Sequence, residues 1–123
     1  MRSRFTAYVI EDYPYILQTY TSEQRAKLTV SQLADSAQDT QWLSLQVIAH
    51  HPQSNTAQVE FKGYYQIGQQ YYVIHELSYF VFVENKWFYT TGLIQKDSGE
   101  FSPQRNSPCL CASGKKFKKC CGK

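Results

Sequence analysis

The sequence lacks an apolar run long enough for a membrane-spanning helix, which needs about 18 residues or more. It also lacks the apolar core of a secretory signal, since Met1-Arg2-Ser3-Arg4 leads directly into mixed aromatic and polar residues. We therefore expect a soluble, cytoplasmic protein. Charged residues are scarce at 19% of 123, whereas 42% are hydrophobic, which excludes a disordered chain and suffices for one folded core.

Acidic residues are absent from the last part of the chain. Residues 105–123 contain six Lys or Arg and no Asp or Glu, a formal charge of +6. Residues 1–104 contain seven basic and ten acidic residues, which gives −3 and accounts for the net +3 of the whole chain. On this basis we predict two parts, a body at 1–104 and a basic tail at 105–123 that favours anionic partners.

Cysteine is absent from residues 1–108, and the spacing C-x-C-x8-C-C in the tail contains all four cysteines: Cys109, Cys111, Cys120 and Cys121. Two close pairs of thiolates supply the four soft ligands that tetrahedral zinc prefers. Disulfides are the alternative, but they require an oxidising compartment, and adjacent cysteines bridge each other only with backbone strain. The pattern predicts one zinc ion, structural rather than catalytic because no coordination position stays open.

The segment at 108–122 closely resembles the SEC-C motif, a zinc tail first described at the C-terminus of the SecA translocation motor. Leu110 and Ala112 stand where the motif usually has Pro and Gly, and neither position is a ligand. In the family that this segment resembles, the tail binds zinc and contacts protein partners or anionic surfaces. Because the motif occurs on many unrelated domains, the resemblance alone does not name a function.

The first forty residues of the body are predicted to be helical. Apolar side chains such as Phe5, Tyr8 and Val9 recur at three- and four-residue spacing, and Pro14 suits the start of a second helix. Residues 31–34 indicate a further capped turn.

From Gln41 the pattern changes to the alternation of a half-buried strand. Leu43, Leu45 and Val47 are predicted to share one face of the first strand. Residues 50–55, with two adjacent histidines, are predicted to form an exposed loop before the second strand.

Two short polar turns predict hairpins between the later strands. Gly68-Gln69 and Glu84-Asn85 each separate segments rich in tyrosine, valine and phenylalanine. Since helices come first and strands follow, the sequence predicts an α+β fold, in which a curved antiparallel meander is covered by the N-terminal helices.

Three stretches of the body look like the YchJ family: MRSRFTAY at 1–8, HELSYF at 75–80 and WFYTTG at 87–92. That resemblance implies the nuclear transport factor 2-like fold, a curved antiparallel sheet that helices wrap into a cone, followed by a SEC-C tail. Family members commonly carry a second SEC-C motif ahead of the MRSR stretch, and here it would lie upstream of Met1. The resemblance implies no particular activity.

A cone of this kind usually contains a pocket, and six residues are the candidates for it: Trp42, His75, Glu76, Ser78, Trp87 and Tyr89. Neighbours on a strand point to opposite faces, so His75 and Glu76 cannot both enter one pocket unless a bulge intervenes. The alternative for Glu76 is a buried carboxylate that ties helix to sheet through hydrogen bonds.

The aromatic residues and the lysines are separated along the chain, which argues against a base-stacking surface on the body. Phe117 is predicted to form the small core of the tail, and four lysines are the candidates for partner contacts: Lys115, Lys116, Lys118 and Lys119. Our leading hypothesis is a non-enzymatic binding module whose basic tail docks onto an acidic protein, a ribosome or an anionic membrane surface. The alternative is an enzyme or small-ligand binder that uses the cone pocket.

Overall fold

The computed structural model describes residues 1–109 and 113–120. Its helices are α1 (Arg2–Val9), α2 (Tyr13–Gln18), α3 (Ser22–Arg25) and α4 (Val30–Ser36). Its strands are β1 (Thr40–Pro52), β2 (Thr56–Ile67), β3 (Gln70–Val83), β4 (Lys86–Ile94) and β5 (Gly99–Phe101), and a 3₁₀ turn follows at Phe117–Lys119. The predicted α+β order of helices followed by an antiparallel sheet is confirmed.

Two of the four described helices, α2 and α4, begin at residues whose side chains cap them. The Asp12 carboxylate accepts a hydrogen bond from the Tyr15 backbone N–H at 3.2 Å, and Pro14 lies in the first turn of α2 as predicted. At α4 the cap is Thr29, which forms a reciprocal capping box with Gln32. These caps fix short helices that would be unstable alone.

The helices pack on one another through a small apolar cluster of Ala7, Ile16 and Leu33, each at most 7% exposed. Ile16 is completely buried. This cluster joins α1, α2 and α4 into one layer. Within the described residues, no helix is both long enough and apolar enough to cross a membrane.

The sheet is an antiparallel meander in the order β1-β2-β3-β4, with β5 pairing beside the first residues of β3. Gly68 has φ of 61° in the β2–β3 turn, and Glu84 and Asn85 have φ of 51° and 67° in the β3–β4 turn. Two successive positive φ values are typical of the tight turns that match strand twist. Both predicted hairpins are therefore confirmed.

The loop predicted at 50–55 is shorter than expected. β1 continues to Pro52, and His50 and His51 pair with Val59 and Gln58 of β2. Pro52 is tolerated because β1 is an edge strand, where a missing N–H breaks no ladder on the open side. Only residues 53–55 connect the two strands.

β1 contains two register irregularities, one between Trp42 and Ser44 and one between Val47 and Ala49. Leu43 is the extra residue of the first, so the predicted common face is wrong for Leu43, whereas Leu45 and Val47 share a face as predicted. The bulge changes the parity of the strand and puts Trp42 and Leu45 on the same cavity wall. Bulges also bend and twist a strand, which contributes to the curvature of the sheet.

The tail folds back on itself beside the sheet. The Cys109 N–H donates to the Lys115 carbonyl at 2.8 Å, and the Phe117 N–H donates to the Ser107 carbonyl at 2.8 Å. The Phe117 ring meets Tyr71 of β3 edge-on, with ring centres 5.4 Å apart. Phe117, predicted as a core internal to the tail, thus also anchors the tail to the body.

Candidate binding cavity and candidate metal centre

A cavity of about 380 Å³ lies between the helices and the inner face of the sheet, the face that carries Phe61, Glu76 and Phe80. We call it the cone cavity. Seven aromatic residues line it, from both the helical part and the strands: Phe5, Tyr8, Tyr20, Trp42, Phe61, Tyr65 and Tyr89. The volume falls in the range of about 300–1,000 Å³ that small-ligand sites occupy.

Glu76 is the acidic group of the cone cavity and is only 8% exposed. The Ser78 hydroxyl, fully buried beneath it, donates to Glu76 Oε2, and the Tyr89 hydroxyl donates to the same oxygen at 3.2 Å. Gly92 lies opposite Ser78 on β4, where a Cβ atom would stand 2.5 Å from the Glu76 carboxyl carbon. A glycine at this position therefore leaves the space that the carboxylate occupies.

Arg4 is the basic group of the cone cavity and is 6% exposed. Its guanidinium carbon lies 4.7 Å from the centre of the Tyr20 ring and 4.6 Å from that of Tyr89, and one N–H donates to the Thr19 hydroxyl. Such cation–π contacts stabilise a cation that has left water. Our sequence analysis missed this residue, although the spacing of Arg4, Ala7 and Tyr8 would put all three on the inward side of α1.

Two tyrosine hydroxyls of the cone cavity, those of Tyr8 and Tyr89, have pKa values above the ordinary tyrosine value. Burial raises the pKa of Tyr8 to about 12, with the nearby Tyr20 as a further cause. Burial, followed by the negative charge of Glu76, raises the pKa of Tyr89 above its ordinary value. Both hydroxyls are therefore neutral, and that of Tyr89 donates its proton to the Glu76 carboxylate.

The six predicted pocket residues do not all meet. Trp42, Glu76 and Tyr89 line the cone cavity, and Ser78 supports Glu76 from below. Trp87 does not line it. It pairs with Phe82 near the hairpin turn, contacts that ring in a tilted arrangement with ring centres 5.0 Å apart, and stays 43% exposed.

His75 lies on the opposite, outer face of the sheet. Its Nε2 contacts a Glu60 carboxylate oxygen at 2.6 Å and its Nδ1 contacts an Asp97 carboxylate oxygen at 2.7 Å. The hydrogen bond to Glu60 is the main cause that raises the pKa of His75, and the bond to His75 lowers the pKa of Asp97. Lys62 lies 3.7 Å from Asp97. We call these four residues the outer ion cluster.

The candidate metal centre is only partly within the described residues. Cys109 is 5% exposed, and the Cys120 sulfur accepts a hydrogen bond from the Ser113 hydroxyl at 3.3 Å. Cys111 and Cys121 lie outside the described residues, and within 1–109 and 113–120 no three metal-ligating side chains cluster. Cysteine thiolates are ligands that suit a thiophilic metal. The backbone pairing of Pro108 with Lys116 brings together the segments that carry Cys109 and Cys120.

Of the four candidate lysines, Lys115, Lys116 and Lys119 are exposed and Lys118 is half-buried. Its backbone N–H donates to the Arg105 carbonyl at 2.9 Å, which holds that lysine against the start of the tail. The fold of the tail therefore gathers these cations with Arg105 in one short hairpin.

Comparison with known protein families gives two matches along the chain. The family described as YchJ, middle NTF2-like domain, matches residues 1–92, and the SEC-C motif matches residues 105–123. The chain is 36% identical over 124 residues to a UPF0225 protein of Actinobacillus succinogenes, covering 99% of this chain and 77% of that protein. It is 38% identical over 124 residues to a UPF0225 protein of Haemophilus influenzae, covering 99% of this chain and 73% of that protein.

Two solved structures have a similar fold. A SEC-C motif-containing protein from Psychrobacter arcticus has a TM-score of 0.67 and 35% identity, covering 99% of this chain and 71% of that one. A SEC-C motif-containing protein from Rhodopseudomonas palustris has a TM-score of 0.74 and 26% identity, covering 78% and 76%. The first of these likenesses extends over the tail as well as the body.

Proposed function

Because this chain belongs to the YchJ family, with an NTF2-like body and a SEC-C motif, we propose that it is a non-enzymatic binding module of the cytoplasm. In this proposal one structural zinc ion shapes the tail, and the tail docks onto the anionic surface of a ribosome or of an acidic protein partner. The observation that carries the proposal is the cluster of exposed cations on a folded hairpin: Lys115, Lys116 and Lys119, with Lys118 beside them.

The zinc ion would be held by four thiolates, those of Cys109, Cys111, Cys120 and Cys121. Four thiolates and one divalent ion leave a charge of −2, so the loaded tail would remain near +4. A thiolate site of this kind suits the reducing cytoplasm, where cysteines stay available as ligands. Its role is to fix the turn between the two cysteine pairs and thereby the spacing of the lysines.

The charge distribution supports docking through the tail rather than through the body. Within the part of the chain that the structure describes, all ion pairs lie around His75, so no acidic side chain neutralises a tail lysine. The body carries a formal −3 and would repel a polyanion. An anionic partner is therefore attracted to one end of the molecule only.

Pull-downs from cell lysate test this proposal. The wild type is compared with a variant carrying Gln at Lys115, Lys116, Lys118 and Lys119, and with a tail peptide loaded with zinc. We expect the peptide to capture the same partners as the whole protein, and the four-Gln variant to lose them. The matched control removes four exposed cations of the body instead: Arg2, Lys27, Lys86 and Lys96. Partners that the four-Gln variant keeps and the peptide lacks would contradict docking through the tail.

A further inference from the structure

The cone cavity contains two buried groups of opposite charge that do not pair with each other. Arg4 is 6% exposed and Glu76 is 8% exposed, yet the ion pairs formed by the described residues all lie on the outer face. Burying a charge without an opposite charge is costly. Among the described residues, Arg4 contacts two aromatic rings and the Thr19 hydroxyl, and Glu76 accepts hydrogen bonds from neutral hydroxyls only.

Both charged groups line the cone cavity and keep polar atoms that have no partner among the described residues. Both hydrogen bonds to Glu76 go to Oε2, so Oε1 accepts none from a described residue. Arg4 donates one N–H to Thr19, which leaves further guanidinium donors for a ligand. Among the described side chains, Trp42 Nε1 is the polar atom that is fully buried and has no hydrogen-bond partner. The unpaired polar atoms of Arg4 and Glu76 are therefore not fully buried.

Tyr89 sets the spacing between the two charges. The Arg4 guanidinium lies over its ring at 4.6 Å, and its hydroxyl lies 3.2 Å from Glu76 Oε2. The positive and negative groups thus flank a single side chain. A small molecule that carries an ammonium and a carboxylate a few bonds apart matches this arrangement.

The remaining wall is shaped for a flat apolar body. Trp42 contacts Phe5, Tyr8 and Tyr65 with ring centres at 5.9, 5.8 and 4.9 Å, which forms an aromatic corner across the cavity. Planar apolar groups pack well against such rings, in stacked or edge-on geometry.

We propose that the cone cavity binds a small zwitterion with a planar apolar side group, of the chemical class of aromatic α-amino acids. The ammonium group pairs with Glu76, the carboxylate pairs with Arg4, and the ring contacts the corner around Trp42. This site is separate from the tail, so binding here does not depend on the lysines.

Isothermal titration with three probes tests the proposal: L-phenylalanine, phenethylamine and 3-phenylpropionate. The last two each keep the ring and one of the two charges. We expect phenylalanine to bind at least about tenfold more tightly than either, because each analogue leaves one buried charge unmatched. Equal binding of a single-charge analogue, or no binding of any probe at millimolar concentration, would overturn the proposal.

Two charge-removing variants assign the contacts. Glu76→Gln should weaken the binding of phenylalanine and phenethylamine and leave that of 3-phenylpropionate unchanged. Arg4→Gln should weaken the binding of phenylalanine and 3-phenylpropionate only. Glu23→Gln and Arg2→Gln remove exposed charges and serve as matched controls. Wild-type affinities in both variants would overturn the assignment.

A third variant keeps the proposal testable if Arg4 or Glu76 proves essential for folding, as judged by circular dichroism. Ala37 lines the cone cavity just after α4, and Ala37→Trp would fill it without changing any charge. We expect this variant to lose phenylalanine binding. Retained binding would place the site elsewhere and overturn the proposal.

Discussion

The two faces of β3 differ in whether their charged residues have partners of opposite charge. On the outer face, His75 contacts Glu60 and Asp97 through both ring nitrogens, so each charge has a partner. On the inner face, Glu76 accepts hydrogen bonds from hydroxyl groups only, and the buried cation Arg4 lies over an aromatic ring. Charged groups that pair with one another stabilise the fold, whereas buried charged groups without charged partners indicate a ligand-binding site.

The tail contacts the outer face of the sheet through Phe117 and Tyr71, so loss of its metal should not change the structure of the inner face. We expect the purified protein to contain close to one zinc ion per chain by elemental analysis, and Cys120→Ser to lose it entirely. The body of this variant should remain folded, because its apolar clusters belong to the helices and the sheet. Global unfolding of Cys120→Ser by circular dichroism would contradict the division into body and tail.

The inner face should be intolerant of any side chain at Gly92. Gly92→Ala would put a methyl group 2.5 Å from the Glu76 carboxyl carbon, and we expect a loss of about 1–3 kcal/mol in the free energy of unfolding. Urea denaturation measures this loss. Combining the change with Glu76→Ala removes the two shortest contacts and leaves the one with the Tyr89 hydroxyl at 2.8 Å, so the double variant should lose less than the sum of the two single losses. Additive losses would mean that Gly92 does not make room for the carboxylate.

The outer ion cluster should give a small, pH-dependent contribution to stability. The pKa of His75 is raised in the folded protein from its ordinary value of 6.5, mainly by the bond to Glu60. Its ion pairs therefore stabilise the fold fully below about pH 6.5, and that stabilisation is lost as the pH rises through the raised pKa. We expect His75→Gln to cost less than about 1 kcal/mol at pH 6 and still less at pH 9.

His50→Gln is the matched control for the outer ion cluster, since His50 is an exposed histidine of β1. Urea midpoints of this variant should equal those of the wild type at both pH values. A loss in His75→Gln that grows between pH 6 and pH 9 would mean that the neutral imidazole, not the imidazolium, is the stabilising form.

Much of the fold follows from local chemistry that a sequence displays. Gly68 and the pair Glu84-Asn85 allow the positive φ values of tight hairpins, and Pro14 suits the first turn of a helix. Alternation along β3 also places Glu76 and His75 on opposite faces. These features depend on a few consecutive residues, so they could be predicted.

The features that were missed depend on contacts between distant parts of the chain. The bulge at Leu43 inserts one residue without any sequence mark of its own, and it decides which side of β1 faces the cavity. The burial of Arg4 depends on Tyr20 and Tyr89, which lie far along the sequence. The space for Glu76 depends on Gly92 in the next strand.

The salt dependence of ribosome binding tests docking through the basic tail. Affinities of the wild type, the four-Gln tail variant and the four-Gln body control are measured for purified ribosomes at several salt concentrations. We expect a steep loss of wild-type affinity with salt, an unchanged slope for the body control, and a slope lower by about 3 to 4 for the tail variant. Equal slopes for the wild type and the tail variant would contradict docking through the tail.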